Sequence, residues 1–174
     1  MRIDAGKFKG RRLIENKFEH IRPTTDKVRQ ALFTKLQFFL PGSKVLDLFC
    51  GTGALGIEAL SRGASEVIFV DKDARSSKMT RDNLKAIGAT AKVIKCDALT
   101  YLDKCQEKFD LILLDPPYKS GLYEKVIPKL YDKLEDDGVI VCEHDKKDTF
   151  NYSPFVVYDE KRYGNTMLTY LSKS

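Results

Sequence analysis

The sequence predicts a doubly wound α/β sheet that closes with an antiparallel hairpin, and three observations predict it. From Lys44 onward, short apolar runs alternate with amphipathic helical stretches. The first of these runs ends in a glycine-rich turn, Gly51-Thr52-Gly53-Ala54-Leu55-Gly56, that opens a helix. The last two extended runs flank Gly164-Asn165, a pair suited to a tight hairpin turn.

Each element follows from its own pattern. Strands are expected at 44–49, 66–70, 91–95, 111–114 and 139–142, where β-branched and apolar residues run together. Helices are expected at 54–62, 73–87, 98–105 and 123–134, where apolar residues recur at helical spacing. Strands apolar on both sides require cover on both faces, as in a parallel sheet. The segments 155–158 and 166–171 form the closing hairpin. Before Lys44 the pattern differs. Segment 2–13 alternates and breaks at Gly6 and Gly10, which suits a small β-ribbon. Pro23 stops the extended chain, and Thr24 or Thr25 caps a helix that runs to Phe39. Val28, Ala31, Leu32, Leu36 and Phe39 share one face of that helix, and Pro41-Gly42 ends it. Two regions result: an extension over 1–43 and the sheet domain over 44–174.

Composition narrows the function classes. At 174 residues, 43% hydrophobic and 32% charged, the chain reads as one globular domain with a true core. No apolar run approaches the roughly 18–20 residues that span a bilayer, and the basic N-terminus lacks a signal-peptide core. A cytoplasmic monomer is expected. Cys50, Cys96, Cys105 and Cys142 are scattered without the paired short spacing of a zinc or redox site, so no metal is expected. Charge is unevenly placed. Residues 1–38 hold ten Lys/Arg against four Asp/Glu, whereas the other 136 hold twenty against twenty-one. The whole net charge of +5 therefore traces to the N-terminal fifth, where Lys7, Lys9, Arg11 and Arg12 can meet phosphates or simply face solvent.

The glycine turn admits two ligands. Gly51, Gly53 and Gly56 fit the dinucleotide fingerprint, and Asp71 ends the next strand, where it can bind a ribose. Asp47 separates the possibilities. It stands at the carboxyl end of the first strand, where it would repel a pyrophosphate and attract the ammonium of a methionine moiety. S-adenosylmethionine has that ammonium, a ribose and no phosphate. Asp97 follows the third strand, where it can accept from the adenine amino group beside the Ala98 amide, or cap the helix that starts there. With the closing hairpin, these features match the Rossmann-like class I architecture of S-adenosylmethionine-dependent methyltransferases.

A second site ends the fourth strand. Asp115-Pro116-Pro117-Tyr118 fixes the backbone at the edge of the sheet where ligands bind in open α/β folds. The exocyclic amine of a nucleic-acid base is a poor nucleophile, because its lone pair is delocalised into the ring. Asp115 and the Pro116 carbonyl can orient such an amine by accepting from it, and Tyr118 can stack on a base drawn from its helix.

These segments together closely resemble one family. The stretch DLFCGTGALGIEALSRGA over 47–64, RPTTDKVR over 22–29, the Asp-Pro-Pro-Tyr tetrad and the opening GKFKGR over 6–11 are similar to bacterial RsmD-type enzymes. That family methylates the N2 amino group of one guanine in small-subunit (16S) ribosomal RNA. The resemblance implies that Gly51, Gly53 and Asp71 contact S-adenosylmethionine, that Asp97 contacts its adenine and that 115–118 hold the guanine. It implies that Arg22, Thr24 and Thr25 pack over the cofactor and help hold the RNA. Lys7, Lys9, Arg11 and Arg12 would reach phosphates of the ribosomal RNA or of the small subunit. Asp4-Ala5 departs from the family pattern, which carries a small apolar residue and glycine there. Two rivals stand beside this reading: a DNA adenine-N6 methyltransferase, and a non-catalytic RNA-binding protein of the same fold.

Overall fold

The computed structural model describes residues 1–14, 25–117 and 120–174. Strand β1 (Lys44–Leu48) pairs in parallel with β2 (Glu66–Asp71) on one side and β4 (Phe109–Leu114) on the other. Beyond β2 lies β3 (Lys92–Lys95), and beyond β4 lies β5 (Leu134–Asp145), both again parallel. Strand β7 (Thr166–Ser172) runs antiparallel beside β5, and β6 (Val156–Tyr163) pairs antiparallel with β7 at the edge. The order β3-β2-β1-β4-β5-β7-β6 reverses direction between β1 and β4, which opens a crevice at the carboxyl ends of those two strands. The predicted fold class is the one observed.

Alternate strand residues build two cores. On one face, Val45, Phe69, Leu111, Leu113 and Val141 pack under α1 (Asp26–Lys35), α2 (Ala54–Ser61) and α3 (Ala74–Ile87). On the other, Leu46, Leu48, Val70, Ile112 and Ile140 pack under α4 (Ala98–Lys104) and α5 (Leu122–Val126). This period of two, buried on both sides, makes the strands read as continuous apolar runs.

Several boundaries differ from those the sequence predicts. The capping residue of α1 is Thr25, whose hydroxyl accepts from the Val28 amide. That helix stops at Lys35 rather than Phe39, because the chain tightens into turns that seat Leu40 in the core and leave Phe38 92% exposed. Its buried face carries Arg29 and Phe33 where the pattern pointed to Ala31 and Phe39. The helix expected over 123–134 is a short α5 followed by 3-10 turns at Ile127–Lys129 and Tyr131–Lys133, since Pro128 has no amide to donate. Strand β6 runs on to Tyr163 through Asp159-Glu160-Lys161-Arg162, charges an exposed edge strand tolerates.

The N-terminal segment docks on α2 and shares its core. One antiparallel bridge, Arg2 to Arg12, replaces the expected ribbon, and Ile3 and Leu13 are buried with Val45 and Ile57. Gly6 (φ +89°) sits so close to α2 that a Cβ there would lie 1.9 Å from the Ser61 carbonyl oxygen. The Lys7 amide donates to that carbonyl at 2.8 Å. The buried Glu58 carboxylate accepts from the amides of Asp4 (2.9 Å) and Ala5 (3.2 Å) and from Arg62 Nε (2.8 Å). Truncating this carboxylate strands the Asp4 and Ala5 amides and removes the ion-pair partner of Arg62. Glu58→Ala is therefore expected to lower the unfolding free energy by about 3–5 kcal/mol in a urea titration. An unchanged midpoint would show that water replaces the carboxylate and that docking does not depend on it.

Candidate active site

The turn after β1 is held in a demanding conformation. Phe49 has φ +69°, a left-handed geometry that costs a residue with a Cβ on the order of 1–3 kcal/mol. Two bonds hold it there: the amides of Phe49 and Cys50 both donate to the Val70 carbonyl, at 2.9 and 3.0 Å. Gly53 (φ +81°) begins α2, and a Cβ there would lie 2.8 Å from Thr80 Cγ2. From behind, Thr80 Oγ1 donates to the Gly51 carbonyl and Asn83 Nδ2 to that of Thr52, each at 2.9 Å. The same Asn83 accepts from the Ile14 amide through Oδ1, so the N-terminal segment and the turn share a support.

Two aspartates occupy donors of this turn. Asp47 is 2% exposed, and its Oδ2 accepts from the Gly56 amide at 3.0 Å. Burial pushes its carboxyl up to about 7, against the pull of the Gly56 amide, and the Asp71 charge adds to the rise. Asp71 accepts from the Gly51 amide at 3.0 Å through Oδ2 and from the Asp73 amide at 2.9 Å through Oδ1. Burial raises its pKa as well, with those two amides opposing. Amides that would cradle a pyrophosphate are thus already bonded to carboxylates, so the turn presents negative charge and favours a cationic ligand.

A cavity of about 440 Å³ lies at the carboxyl edge of the sheet. Its wall brings together Asp47, Gly51, Asp71, Asp115, Pro116 and Pro117. Behind Asp115, the buried Tyr123 hydroxyl reaches the carbonyls of Leu114 (3.1 Å) and Glu143 (2.5 Å), clamping the ends of β4 and β5. Burial pushes that phenol well above its ordinary range. Phe150 adds an aromatic wall 4.5 Å from the Tyr123 ring, and Glu143 adds a carboxylate.

Other predicted residues fall elsewhere. Gly53 stands behind the turn, and Asp97 and Ala98 are outside the cavity wall. Asp97 is the N-cap of α4, where it accepts from the Thr100 amide at 3.1 Å. Lys7, Lys9, Arg11 and Arg12 are exposed on the N-terminal segment and do not line the cavity. Arg22, Thr24 and Tyr118 lie outside the described residues. Sequence reading missed Arg29, Tyr123, Glu143 and Phe150, all on the wall. Arg29 had a signal, since it ends the RPTTDKVR segment. The others come from the ends of distant elements. Among the described residues, no group of three or more His, Cys, Asp or Glu is placed to hold a metal ion.

The raised carboxyl of Asp47 has a consequence for folding. Because its folded pKa lies above the ordinary 3.8, burying it is harmless at low pH, and the cost grows as pH rises through about 7. Asp47→Asn should therefore gain stability over the parent between pH 5 and pH 8, by about 2–3 kcal/mol in paired urea titrations. A gap that stays constant with pH would show that Asp47 is ionised throughout at no cost.

Known proteins resemble this chain over most of its length. The family model described as Conserved hypothetical protein 95 matches residues 1–172. YlbH of Bacillus subtilis is 41% identical over 154 residues, covering 84% of each chain. The ribosomal RNA small subunit methyltransferase D of Escherichia coli K12 is 36% identical over 146 residues, which is 82% of this chain and 74% of that one. The solved structure of YhhF from Escherichia coli superimposes with a TM-score of 0.87 at 32% identity, covering 100% of this chain and 98% of that one. With a family match over residues 1–172 and relatives 36% and 41% identical, this chain belongs to the RsmD family of methyltransferases.

Proposed function

We propose that this chain transfers a methyl group from S-adenosylmethionine to the exocyclic N2 amino group of a guanine in small-subunit ribosomal RNA. The observation that carries the reading is the single cavity that joins Asp47 and Asp71 to Asp115-Pro116-Pro117 across the β1/β4 crevice. A methyl donor and a base amine must meet in one place, and this wall has acceptors for both. The relatives supply the substrate class, since one is named as a ribosomal RNA small subunit methyltransferase.

When bound, S-adenosylmethionine supplies an electrophilic methyl on a sulfonium centre. Asp47 would receive the ammonium of its methionine end, and Asp71 the ribose hydroxyls. Asp97 would accept from the adenine amine with the lone pairs left by its helix cap. Asp115 and the Pro116 carbonyl would accept from the guanine amine, holding its lone pair toward the methyl and stabilising the positive charge that develops on nitrogen, which then loses one proton to solvent as the neutral N-methyl amine forms. Tyr118 would stack on the extruded base, with Arg22 and Thr24 closing the site. The prolines keep the two acceptors in fixed relation. No nucleophilic residue of the protein is required.

The test is methyl transfer to purified ribosomal RNA and to DNA, followed by nucleoside analysis. N2-methylguanosine in the RNA is expected, with Asp115→Ala reducing its rate by ~100-fold or more while S-adenosylmethionine still binds. N6-methyladenine in the DNA would establish the adenine-methylating rival. RNA binding without any methylation would establish a non-catalytic binder.

The extension over 1–43 is proposed as the RNA-docking part, on the exposure of Lys7, Lys9, Arg11 and Arg12 and on the charge surplus they carry. Each phosphate contact contributes a slope of about −0.9 in log affinity against log salt for a duplex and about −0.7 for a single strand. Neutralising all four side chains should flatten the salt dependence of RNA affinity by roughly 3 units. An unchanged slope would mean that these charges face solvent only and that RNA docks elsewhere.

A further inference from the structure

Among the described residues Arg29 is the most deeply buried cation, at 2% exposure, and it also lines the cavity. One edge of its guanidinium is fully engaged. Nε and Nη2 pair with Asp4 at 3.2 and 3.5 Å, and Nη2 also meets the Arg2 carbonyl at 3.2 Å and Asp26 at 3.0 Å. Glu58 stands 3.9 Å from Nε. Nη1, with two N–H groups, is buried and has no hydrogen-bond partner. A dehydrated, unpaired donor on a charged group is among the more costly defects a core can carry. The contacts on Nε and Nη2 fix the guanidinium plane while leaving Nη1 unsatisfied.

We propose that Arg29 receives the α-carboxylate of the methionine end of S-adenosylmethionine through Nη1; the assignment rests on the cofactor reading above. Position favours this end of the ligand. Asp47, the acceptor for the ammonium, is bonded to the Gly56 amide, and Arg29 lines the same cavity. An amino-acid head carries opposite charges on one carbon, so it needs an anion and a cation close together. Asp47 and Arg29 put an anion and a cation on the wall of one cavity. Lys72, the other lysine or arginine of the described wall, is exposed and follows Asp71 at the ribose end.

The surrounding charge sharpens the inference. Asp4, Asp26 and Glu58 already outweigh Arg29, and Asp47, Asp71 and Asp115 make the wall acidic. Field strength alone would therefore favour a ligand without a carboxylate. Tolerance of that carboxylate requires a specific donor, and the Arg29 fork supplies it with fixed geometry.

Calorimetry on the full chain with two ligands decides the matter. S-adenosylmethionine and its decarboxylated form differ only in the carboxylate, and the decarboxylated form is the more cationic. The wild type is expected to bind the decarboxylated ligand about 10–100-fold more weakly, the factor for one charge-assisted hydrogen bond. In Arg29→Lys, which keeps the charge and loses the fork, affinity for S-adenosylmethionine should fall toward that of the decarboxylated ligand, whose own affinity stays put. Equal or tighter binding of the decarboxylated form by the wild type would overturn the proposal, whether or not the variant folds. A variant that loses both affinities in parallel, with discrimination intact, would overturn it too and leave Arg29 a purely structural residue. If neither ligand binds the wild type, the cofactor reading itself has failed, and this assignment with it.

Discussion

The carboxylate of Glu58 is the contact on which the rest of this architecture leans. It projects from α2, is 1% exposed, and is bonded to the start of the chain through the Asp4 and Ala5 amides and to Arg62 on its own helix. A buried carboxylate is tolerable only when its lone pairs are met by donors. That condition ties three pieces together: the N-terminal segment, α1 through Arg29, and α2. The same helix lends its Gly56 amide to Asp47. Docking of the chain's first residues and shaping of the cavity are thus consequences of one helix being held in one place.

The cavity's selectivity follows from which groups the turn has left over. In a dinucleotide site the glycine turn and the helix start aim free amides at phosphate. Here Asp47 and Asp71 take the Gly56 and Gly51 amides, so similar backbone geometry gives a negative surface. The arrangement costs stability, visible in the burial-driven rise of both carboxyls and in the left-handed Phe49. Strain and uncompensated charge gathered at one turn are typical of a site shaped for a ligand, since neither helps the fold by itself.

Across the crevice, rigidity has a different source. Pro116 and Pro117 restrict the backbone, while the buried Tyr123 hydroxyl joins the Leu114 and Glu143 carbonyls at the ends of β4 and β5. The antiparallel β7 holds β5 from its other side over six registered pairs from Ile140 to Asp145, which steadies Glu143 and the strand end that borders the cavity. Acceptors that must align an amine within a fraction of an ångström gain from being set at the ends of paired strands rather than on a free loop.

What the sequence determined by itself was whatever depends on near neighbours in the chain. The period-two burial of Val45, Leu46, Asp47 and Leu48, the glycine turn after them, and the aspartates at the ends of β1 and β2 are local patterns with local causes, and they were legible. So was the Asp-Pro-Pro turn, because proline acts on its own backbone. Tertiary structure decided the rest, where a residue's role depends on partners far away in sequence. Glu58 lies within the helix predicted at 54–62, but the amides it holds, those of Asp4 and Ala5, come from 54 and 53 residues away. Arg29 ends the RPTTDKVR segment, but its pairing with Asp4 and its place on the cavity wall come only with the fold. Tyr123 begins the helix predicted at 123–134, but the two carbonyls its hydroxyl meets are brought by β4 and β5. Asp97 shows the reverse case, because its local helix cap is observed while its place outside the cavity wall was set by how α4 packs. Backbone preference is written residue by residue, whereas the pairing of buried charge is settled only when the elements meet.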